Sequence, residues 1–458
     1  MATTSTSSIS LLDVPSLVSQ LMTVERQPIT KLNTKISNYQ SQISTFGTLS
    51  SLTSTLQSSL TALTSAFNSY TATPSDSSIF AATADTTAVA GNYSVVVSQL
   101  AQAQTLATEG RASATAAITT AASDLTFVVG GASKTVSIGA NASLNDIRDA
   151  INAAGIGVTA SIVNDGSADP YRLTISAGAS GTSNAVSSIS ITAPGDTAPG
   201  DTALAALLAY GGGQSSTVTE AQAAKDANLT VNGIAITSSS NVVSGAIQGV
   251  TLTLTAKTTN PATLTVQRDT GSVQTAINSF VSAYNALYSQ MKSVSAYTTS
   301  GSSTTPVLAG DRTVRMMMDQ VRGILTTAAS GGTYSYLSNI GIAIQKDGTL
   351  QVDSSKLSSA LSTNFAAVSS LFSSTTGFTT RLNTWANSAL DVGGLISTRT
   401  TNLTTSIKTF NDQIDHLNVR MAALQQQYTT TYSNLNMFLA QANSTTNYLN
   451  QQFATKSS

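Results

Sequence analysis

Residues 403–428 read LTTSIKTFNDQIDHLNVRMAALQQQY, and this stretch decides the fold. Its apolar side chains recur at alternating steps of four and three residues, at Leu403, Ile407, Phe410, Ile414, Leu417, Met421, Leu424 and Tyr428. The spacing predicts a helix with a narrow, coiled-coil-like apolar seam. Continued over residues 396–442, the helix would be a rod of roughly 70 Å at about 1.5 Å per residue. A rod of that length cannot bury its seam alone.

A second stripe of apolar residues lies near the start of the chain and would supply the partner. Asp13 and Pro15 suit the beginning of a first helix, and Pro28 interrupts it. Beyond Pro28 the apolar steps are again mostly three or four, and we place on the seam Ile36, Tyr39, Ile43, Phe46, Leu56 and Leu63. We expect the two stripes to pair lengthwise, with other copies of the chain in a ring as the next candidate partner.

Between the stripes the period becomes that of strands. β-Branched residues alternate or cluster in segments between residues 80 and 266, and Gly130-Gly131 and Asn232-Gly233 mark hairpin turns. Ser143 suits the cap of a short helix, and Asp347-Gly348 marks a later hairpin. The sequence therefore predicts an α+β multidomain protein. Its N- and C-terminal helices pair into a long coiled-coil-like leg, and a β-rich head of two small domains is inserted between them.

These changes of period set the predicted boundaries along the chain. Small polar residues without a period suggest a disordered start. The predicted segments are a terminal segment at 1–40, disordered in the free chain, a leg helix at 41–74, a head at 75–269, a helical leg domain at 270–440 with a hairpin at 340–353, and a last segment at 441–458. Within the head we expect two subdomains, at about 75–125 with 225–269 and at about 126–224.

The composition argues against nucleic-acid binding, membrane binding, metal sites and catalysis. Only 9% of the residues are charged and the formal net charge is -1, which argues against nucleic acid or an anionic membrane as partner. Without cysteine, the chain has no disulfide, thiolate nucleophile or Cys-bound metal. The single histidine, His416, points off the seam, and the paired aspartates lie in turns. We therefore expect no enzyme, no cofactor, no metal and no membrane insertion.

Both ends of the chain resemble one family. Residues 11–52, with Glu25-Arg26 before Pro28 and the run from Gln42 to Gly47, resemble the opening of the bacterial flagellar filament cap family, also called flagellar hook-associated protein 2. Residues 393–453 are similar to the end of the same family. SLNDIRDAINAAGIGVTASIV at 143–163 resembles the flagellin/hook IN motif, and GIAIQKDGTLQVDSSKLSSAL at 341–361 resembles the family's hairpin.

The resemblance implies a function and partners. It implies a secreted, homo-oligomeric ring that caps the distal tip of the flagellum, with heads as a plate and legs towards the filament, and flagellin inserted beneath it. Further implied partners are hook-filament junction proteins, a cytoplasmic export chaperone and the flagellar type III export apparatus. Filament docking would fall to Leu17, Leu21 and Met22, and chaperone binding or docking to Tyr448, Leu449 and Phe453.

Other functions remain open on the sequence alone. A different flagellar axial protein, either flagellin or a hook-filament junction protein, would share the helical ends and the inserted head. A secreted surface adhesin is the alternative from another class, and cell adhesion could also be a secondary role of a cap.

Overall fold

The computed structural model describes residues 12–213, 217–258, 260–297 and 305–455. The chain separates into two compact units, a helical unit made of Met1–Ala66 with Thr270–Ser458 and a strand-rich unit at Phe67–Asp269. The predicted α+β organisation, with a strand-rich insertion between N- and C-terminal helices, is confirmed.

The helical unit begins with two consecutive helices, α1 (Val14–Glu25) and α2 (Gln27–Ala66). The Asp13 carboxylate caps α1 by accepting a hydrogen bond from the Ser16 backbone N–H at 3.2 Å. Arg26 alone separates the helices, and Pro28 lies in the first turn of α2, where its missing N–H is tolerated.

These two helices differ from the disordered segment predicted at 1–40. Residues 14–25 and 27–40 are helical, so the leg helix begins at Gln27 and not at 41. Residues 14–25 are ordered as a helix because their apolar side chains are buried. Val14, Val18 and Met22 belong to an apolar cluster that also contains Met421. The prediction for residues 1–11 lies outside the described part of the chain.

The strand-rich unit is antiparallel throughout its named sheets. Its elements are β1 (Tyr70–Pro74), β2 (Phe80–Ala84), β3 (Gly91–Gln99), β4 (Thr105–Ala107), β5 (Ser123–Val129), β6 (Ala132–Ile138), α3 (Leu144–Ala153), β7 (Val158–Asn164), β8 (Tyr171–Ala177), β9 (Val186–Thr192), α4 (Thr202–Leu208), β10 (Thr219–Gln222), β11 (Ala227–Val231), β12 (Ile234–Ser238), β13 (Val242–Ile247), β14 (Val250–Leu254) and β15 (Ala262–Arg268).

The first core of this unit lies between two sheets. One has the strand order β1-β15-β3-β11-β12 and the other β13-β14-β2. Phe80, Val95 and Leu264 are fully buried in this core. The predicted hairpin at Asn232-Gly233 joins β11 to β12, and both turn residues have positive φ, 49° and 82°, as a type I′ turn requires.

The second core lies between sheets of order β10-β4-β8-β7 and β6-β5-β9, together with α3 and α4. Leu106 and Leu125 both belong to it. The boundary between the subdomains therefore falls near 102–105 and not near 125, because β5 pairs with β6 and β9 and cannot be divided from them. The strand-rich unit also begins before 75, since β1 pairs with β15.

The remaining helices of the helical unit follow the insertion. They are α5 (Thr270–Ser295), α6 (Arg312–Thr326), α7 (Ser354–Thr363), α8 (Phe365–Ser373), α9 (Phe378–Leu390) and α10 (Leu395–Thr455). The predicted small hairpin is formed by β16 (Ile342–Ile344) and β17 (Leu350–Val352). At 61 residues, α10 is longer than predicted and would measure about 90 Å at roughly 1.5 Å per residue.

Candidate assembly surfaces on the helical unit

The helices α2 and α10 pack against each other in opposite directions. The rings of Tyr39 and Phe410 have centroids 5.6 Å apart, and the Lys35 ammonium lies 5.6 Å from the Phe410 ring centroid. Nearer the start of α2, Ile29 packs in a cluster with Leu424. Residue numbers therefore rise along one helix as they fall along the other, which is the lengthwise pairing that the sequence predicts.

The predicted seam is shared by the two helices but it is only partly closed. On α2, Ile36 and Phe46 are buried, whereas Tyr39 and Ile43 are half-buried. On α10, only Leu403 and Met421 of the seam are buried. The other predicted seam residues are half-buried, namely Ile407, Phe410, Ile414, Leu417, Leu424 and Tyr428. Two helices alone cannot surround these side chains, so part of the apolar surface stays open to a further partner.

The last two predicted seam residues of α2 lie elsewhere. Leu56 and Leu63 are fully buried, but this part of α2 packs against α9. The contact is marked by a hydrogen bond from the Gln57 amide to the Asn387 side-chain oxygen. The contacts of α2 with α5 and α9 form a multi-helix bundle at this end. We therefore assign Leu56 and Leu63 to the bundle and not to the pair with α10.

The first helix, α1, covers a later part of α10. Val14, Val18 and Met22 are buried there with Met421, and Leu424, Tyr428 and Tyr432 pack around them. Just before the N-terminus of α1, the Leu12 backbone N–H donates a hydrogen bond to the Asn436 side-chain oxygen at 2.9 Å. The Asn436 amide donates a second hydrogen bond to the Leu12 carbonyl at 3.1 Å. The pKa of Tyr428 is raised by burial and by Glu25, which accepts a hydrogen bond from its hydroxyl at 3.3 Å.

The predicted docking residues differ in exposure. Leu17 and Leu21 are half-buried on α1, and Met22 is 4% exposed, so Met22 is covered within the chain and is not available as the docking side chain that we predicted. At the end of α10, Tyr448, Leu449 and Phe453 are exposed, as expected.

Four exposed large apolar residues of α10 were missing from the predicted sites, namely Val419, Leu435, Met437 and Phe438. Met437 and Phe438 are 65% and 68% exposed. The sequence carried a signal for Phe438, because Tyr432, Leu435 and Phe438 continue the apolar row beyond the regular seam. We call residues 437–453 the tail of α10. No charged residue occurs between 421 and 455.

The surfaces carry little that could support chemistry. His416 is exposed on α10. Among the described residues, no group of three or more His, Cys, Asp or Glu is placed to hold a metal ion. Within the same residues, no helix is both long enough and apolar enough to span a bilayer. The arrangement offers apolar and amide contacts to other protein surfaces.

Comparison with protein families places both ends and the insertion in one group. Residues 10–104 match the family described as flagellar hook-associated protein 2 N-terminus, and residues 224–444 match flagellar hook-associated protein 2 C-terminus. Residues 124–179 match the flagellin hook IN motif, which confirms the motif expected at 143–163.

Individual relatives agree. The chain is 36% identical over 408 residues to flagellar hook-associated protein 2 of Escherichia coli strain K12, which covers 85% of this chain and 84% of that protein. It is 31% identical over 402 residues to the A-type flagellar hook-associated protein 2 of Pseudomonas aeruginosa, with coverage of 84% and 83%. The crystal structure of the flagellar cap protein FliD D1-D2-D3 domains from Escherichia coli superposes with a TM-score of 0.67 at 37% identity, covering 79% of this chain and 99% of that one. The chain therefore belongs to the flagellar hook-associated protein 2 family of flagellar cap proteins.

Proposed function

We propose that this chain is secreted and caps the distal end of the bacterial flagellar filament as a homo-oligomer. In this role it promotes the folding and insertion of exported flagellin subunits, with the strand-rich units as a plate and the helical units as legs. The observation that carries the proposal is the unfinished apolar surface of α10 in a member of this family. The seam is half-buried, and the tail exposes Met437, Phe438 and Phe453.

The energetic argument is that this surface needs a partner. Burying apolar area is worth roughly 25 cal/mol per Å², so several large side chains left in water represent a few kcal/mol of unused binding free energy. Neighbouring copies of the chain and flagellin are the partners whose contacts would use it. The absence of charge between 421 and 455 means that such contacts require no matching ion pairs.

We also propose specific partners for the two ends of the chain. We assign Tyr448, Leu449 and Phe453 to docking or to a cytoplasmic export chaperone, and Leu17 and Leu21 to contacts with the filament. Hook-filament junction proteins and the flagellar type III export apparatus complete the proposed partners. The role is structural, and we propose no catalytic activity.

The comparisons do not favour the alternatives. Flagellin, a hook-filament junction protein and a surface adhesin were open on the sequence, but the family that matches at both ends is hook-associated protein 2. Adhesion by the strand-rich unit stays a secondary proposal, which would be measured by binding of cells to a host surface when filaments are intact.

The decisive test removes the gene from a flagellated cell that carries it. We expect flagellin to be released unpolymerised into the medium and filaments to be lost. The full-length chain should restore filaments, and a chain lacking residues 1–40 should not, although its strand-rich unit stays folded. Normal filaments in the deletion strain would reject the cap and favour an adhesin.

A further inference from the structure

The helix α1 is joined to the rest of the helical unit at a natural hinge. Arg26 alone lies between α1 and α2. Pro28 has no N–H, so the helical hydrogen bond from residue 28 to the Val24 carbonyl cannot form. The hydrogen bonds at the junction include Arg26 N–H to the Met22 carbonyl at 3.0 Å, Thr30 N–H to the Arg26 carbonyl at 3.2 Å and the Thr30 hydroxyl to the same carbonyl at 3.5 Å. Rotating α1 away from α2 would therefore break few interactions.

The contacts of α1 are mainly with α10, although Ile29 of α2 packs against the same apolar cluster. Val14, Val18 and Met22 supply the buried side chains, and Met421 is the buried residue opposite them. The hydrogen bonds Leu12–Asn436 and Tyr428–Glu25 add polar contacts at the two ends of α1. Within the described ranges, no ion pair involves α1. Any helix with the sequence of α1 could make these contacts.

The fit of α1 on α10 is also incomplete. A groove of about 500 Å³ runs along the contact, lined on α1 by Val18, Ser19 and Met22 and on α10 by Gln425 and Thr429. A second groove of about 470 Å³ lies nearer the start of α1. Both grooves are open to solvent, so the contact between α1 and α10 is less complete than the closed core of a folded domain, as an exchangeable interface would be.

We propose that α1 is exchanged between copies in the oligomer, so that α1 of one copy occupies the α10 surface of the next. That surface consists of Met421, Leu424, Tyr428 and Tyr432. The occupant is a second copy of this chain, because α1 of this sequence already fits there and the exchanged helix makes the same contacts. Exchange from each copy to the next is a head-to-tail interface, and in the proposed ring the rotation between copies closes, so that every such surface is occupied.

The inference rests on the proposed homo-oligomeric cap and adds how its subunits are joined. Once two copies are held side by side, the neighbouring α1 competes at a high effective concentration with the copy's own α1. The exchange changes the conformation only at Arg26, so α2 stays with its own α9 and α10. That difference between α1 and α2 makes the proposal testable.

The test uses two singly substituted chains, Ser19→Cys and Thr429→Cys. Both residues are exposed, both line the groove between α1 and α10, and the chain has no other cysteine. The two chains are mixed in equal amounts, allowed to assemble and treated with a short thiol-to-thiol crosslinker. In a randomly mixed ring with exchange, about a quarter of the neighbour contacts pair the two thiols, giving a covalent dimer with one chain of each kind.

The matched control is the pair Gln57→Cys and Asn387→Cys. These side chains are in direct contact between α2 and α9, on the part of the chain that does not move. Mixed single variants of this pair should give no covalent dimer.

The outcomes separate the two proposals. Oligomers without the Ser19→Cys and Thr429→Cys dimer would overturn the exchange and leave the cap intact. A chain that stays monomeric under all assembly conditions would overturn both. In a third arm, the doubly substituted chain is crosslinked while dilute, which ties α1 to its own α10. We expect this chain to lose ring assembly, and unimpaired assembly would overturn the exchange.

Discussion

The strand-rich unit and the paired helices α2 and α10 differ in how completely they bury their large apolar side chains. In the strand-rich unit, large side chains such as Phe80 and Phe127 are fully buried between sheets. Along the pair, Tyr39 and Phe410 meet each other but are only half-buried. The difference teaches that one region completes its core on folding, whereas the other leaves apolar surface that the proposed assembly would cover.

Polar side chains show the same contrast. In the strand-rich unit, Asp201 accepts hydrogen bonds from residues about 80 positions away in the chain, such as Thr120. Along α2, hydroxyls such as Thr34 and Thr45 donate to the backbone carbonyl four residues earlier, at 3.0 and 2.8 Å. These hydroxyls are satisfied by their own helix. Charged side chains such as Lys35 remain on the leg, whereas the tail of α10 carries none that would fix one partner in one register.

The largest expected effect tests the contrast in burial directly. Phe127→Ala should destabilise the strand-rich unit by about 4 kcal/mol, because the lost ring leaves a cavity between two sheets. The matched change Phe410→Ala should cost about 1 kcal/mol, since that ring is half in water already. Hydrogen exchange measured at increasing urea concentrations would report the unfolding free energy of the strand-rich unit. The fluorescence of Trp385, the single tryptophan, would report on the helical unit.

Equal losses at the two positions would break the comparison. That result would mean that the pair of α2 and α10 is as tightly closed as the core between the sheets. A loss of filament growth in Phe410→Ala with little loss of stability would instead sharpen it, because the ring would then matter mainly to the assembly.

The sequence predicted what local physical chemistry decides. Steps of three and four residues located α10, and Asn232-Gly233 located a hairpin, because only residues that tolerate positive φ fit a type I′ turn. Ser143 was predicted as a helix cap, and it forms a reciprocal capping box with Asp146. Each of these signals is contained within a few residues.

Features that depend on distant pairing could not be predicted. The subdomain boundary was misplaced because nothing near Leu125 reveals that β5 pairs with both β6 and β9. Leu56 and Ile36 follow the same helical spacing, yet Leu56 lies in the bundle, whereas Ile36 lies where α2 pairs with α10. Periodicity identifies the buried face of a helix, but it does not identify which helix covers that face.

An intermediate effect tests the contrast in polar contacts. Burial raises the pKa of the Asp201 carboxyl, but hydrogen bonds from Thr120, Leu204 and Ala121 lower it more, so this pKa lies below its ordinary value of 3.8. Asp201→Ala should cost about 3 kcal/mol at pH 7, because charged hydrogen bonds are lost and buried N–H groups lose their acceptor. The control Thr55→Ala on α2 should change stability by less than about 0.5 kcal/mol.

The pH dependence of this effect has a definite sign. A carboxyl whose pKa is lowered by folding stabilises the folded state above its unfolded pKa, and the contribution is lost as the pH falls towards the folded pKa. The difference in unfolding free energy between the wild-type chain and Asp201→Ala should therefore be constant near neutral pH and shrink below about pH 4. A difference that does not change down to pH 2 would show that the carboxylate charge contributes nothing.

The smallest expected effect concerns a glycine on the open side of the leg. Gly47 lies inside α2, is exposed, and a Cβ added there would meet no atom within 4 Å. Gly47→Ala should therefore stabilise the helical unit by about 0.5 to 1 kcal/mol, because alanine loses less backbone freedom on entering a helix. Urea unfolding followed by Trp385 fluorescence would measure the gain.

Filament growth in the same variant asks whether the exposed side of α2 at Gly47 is used. Phe46 and Leu49 turn inward beside it, so the apolar face of α2 is already covered at this level and Gly47 points away from it. We expect unchanged growth, which would confine the assembly surface to α1, the half-buried seam and the tail of α10. A variant that is more stable but slower to extend filaments would show that a neighbouring molecule approaches α2 too closely at Gly47 to admit one methyl group.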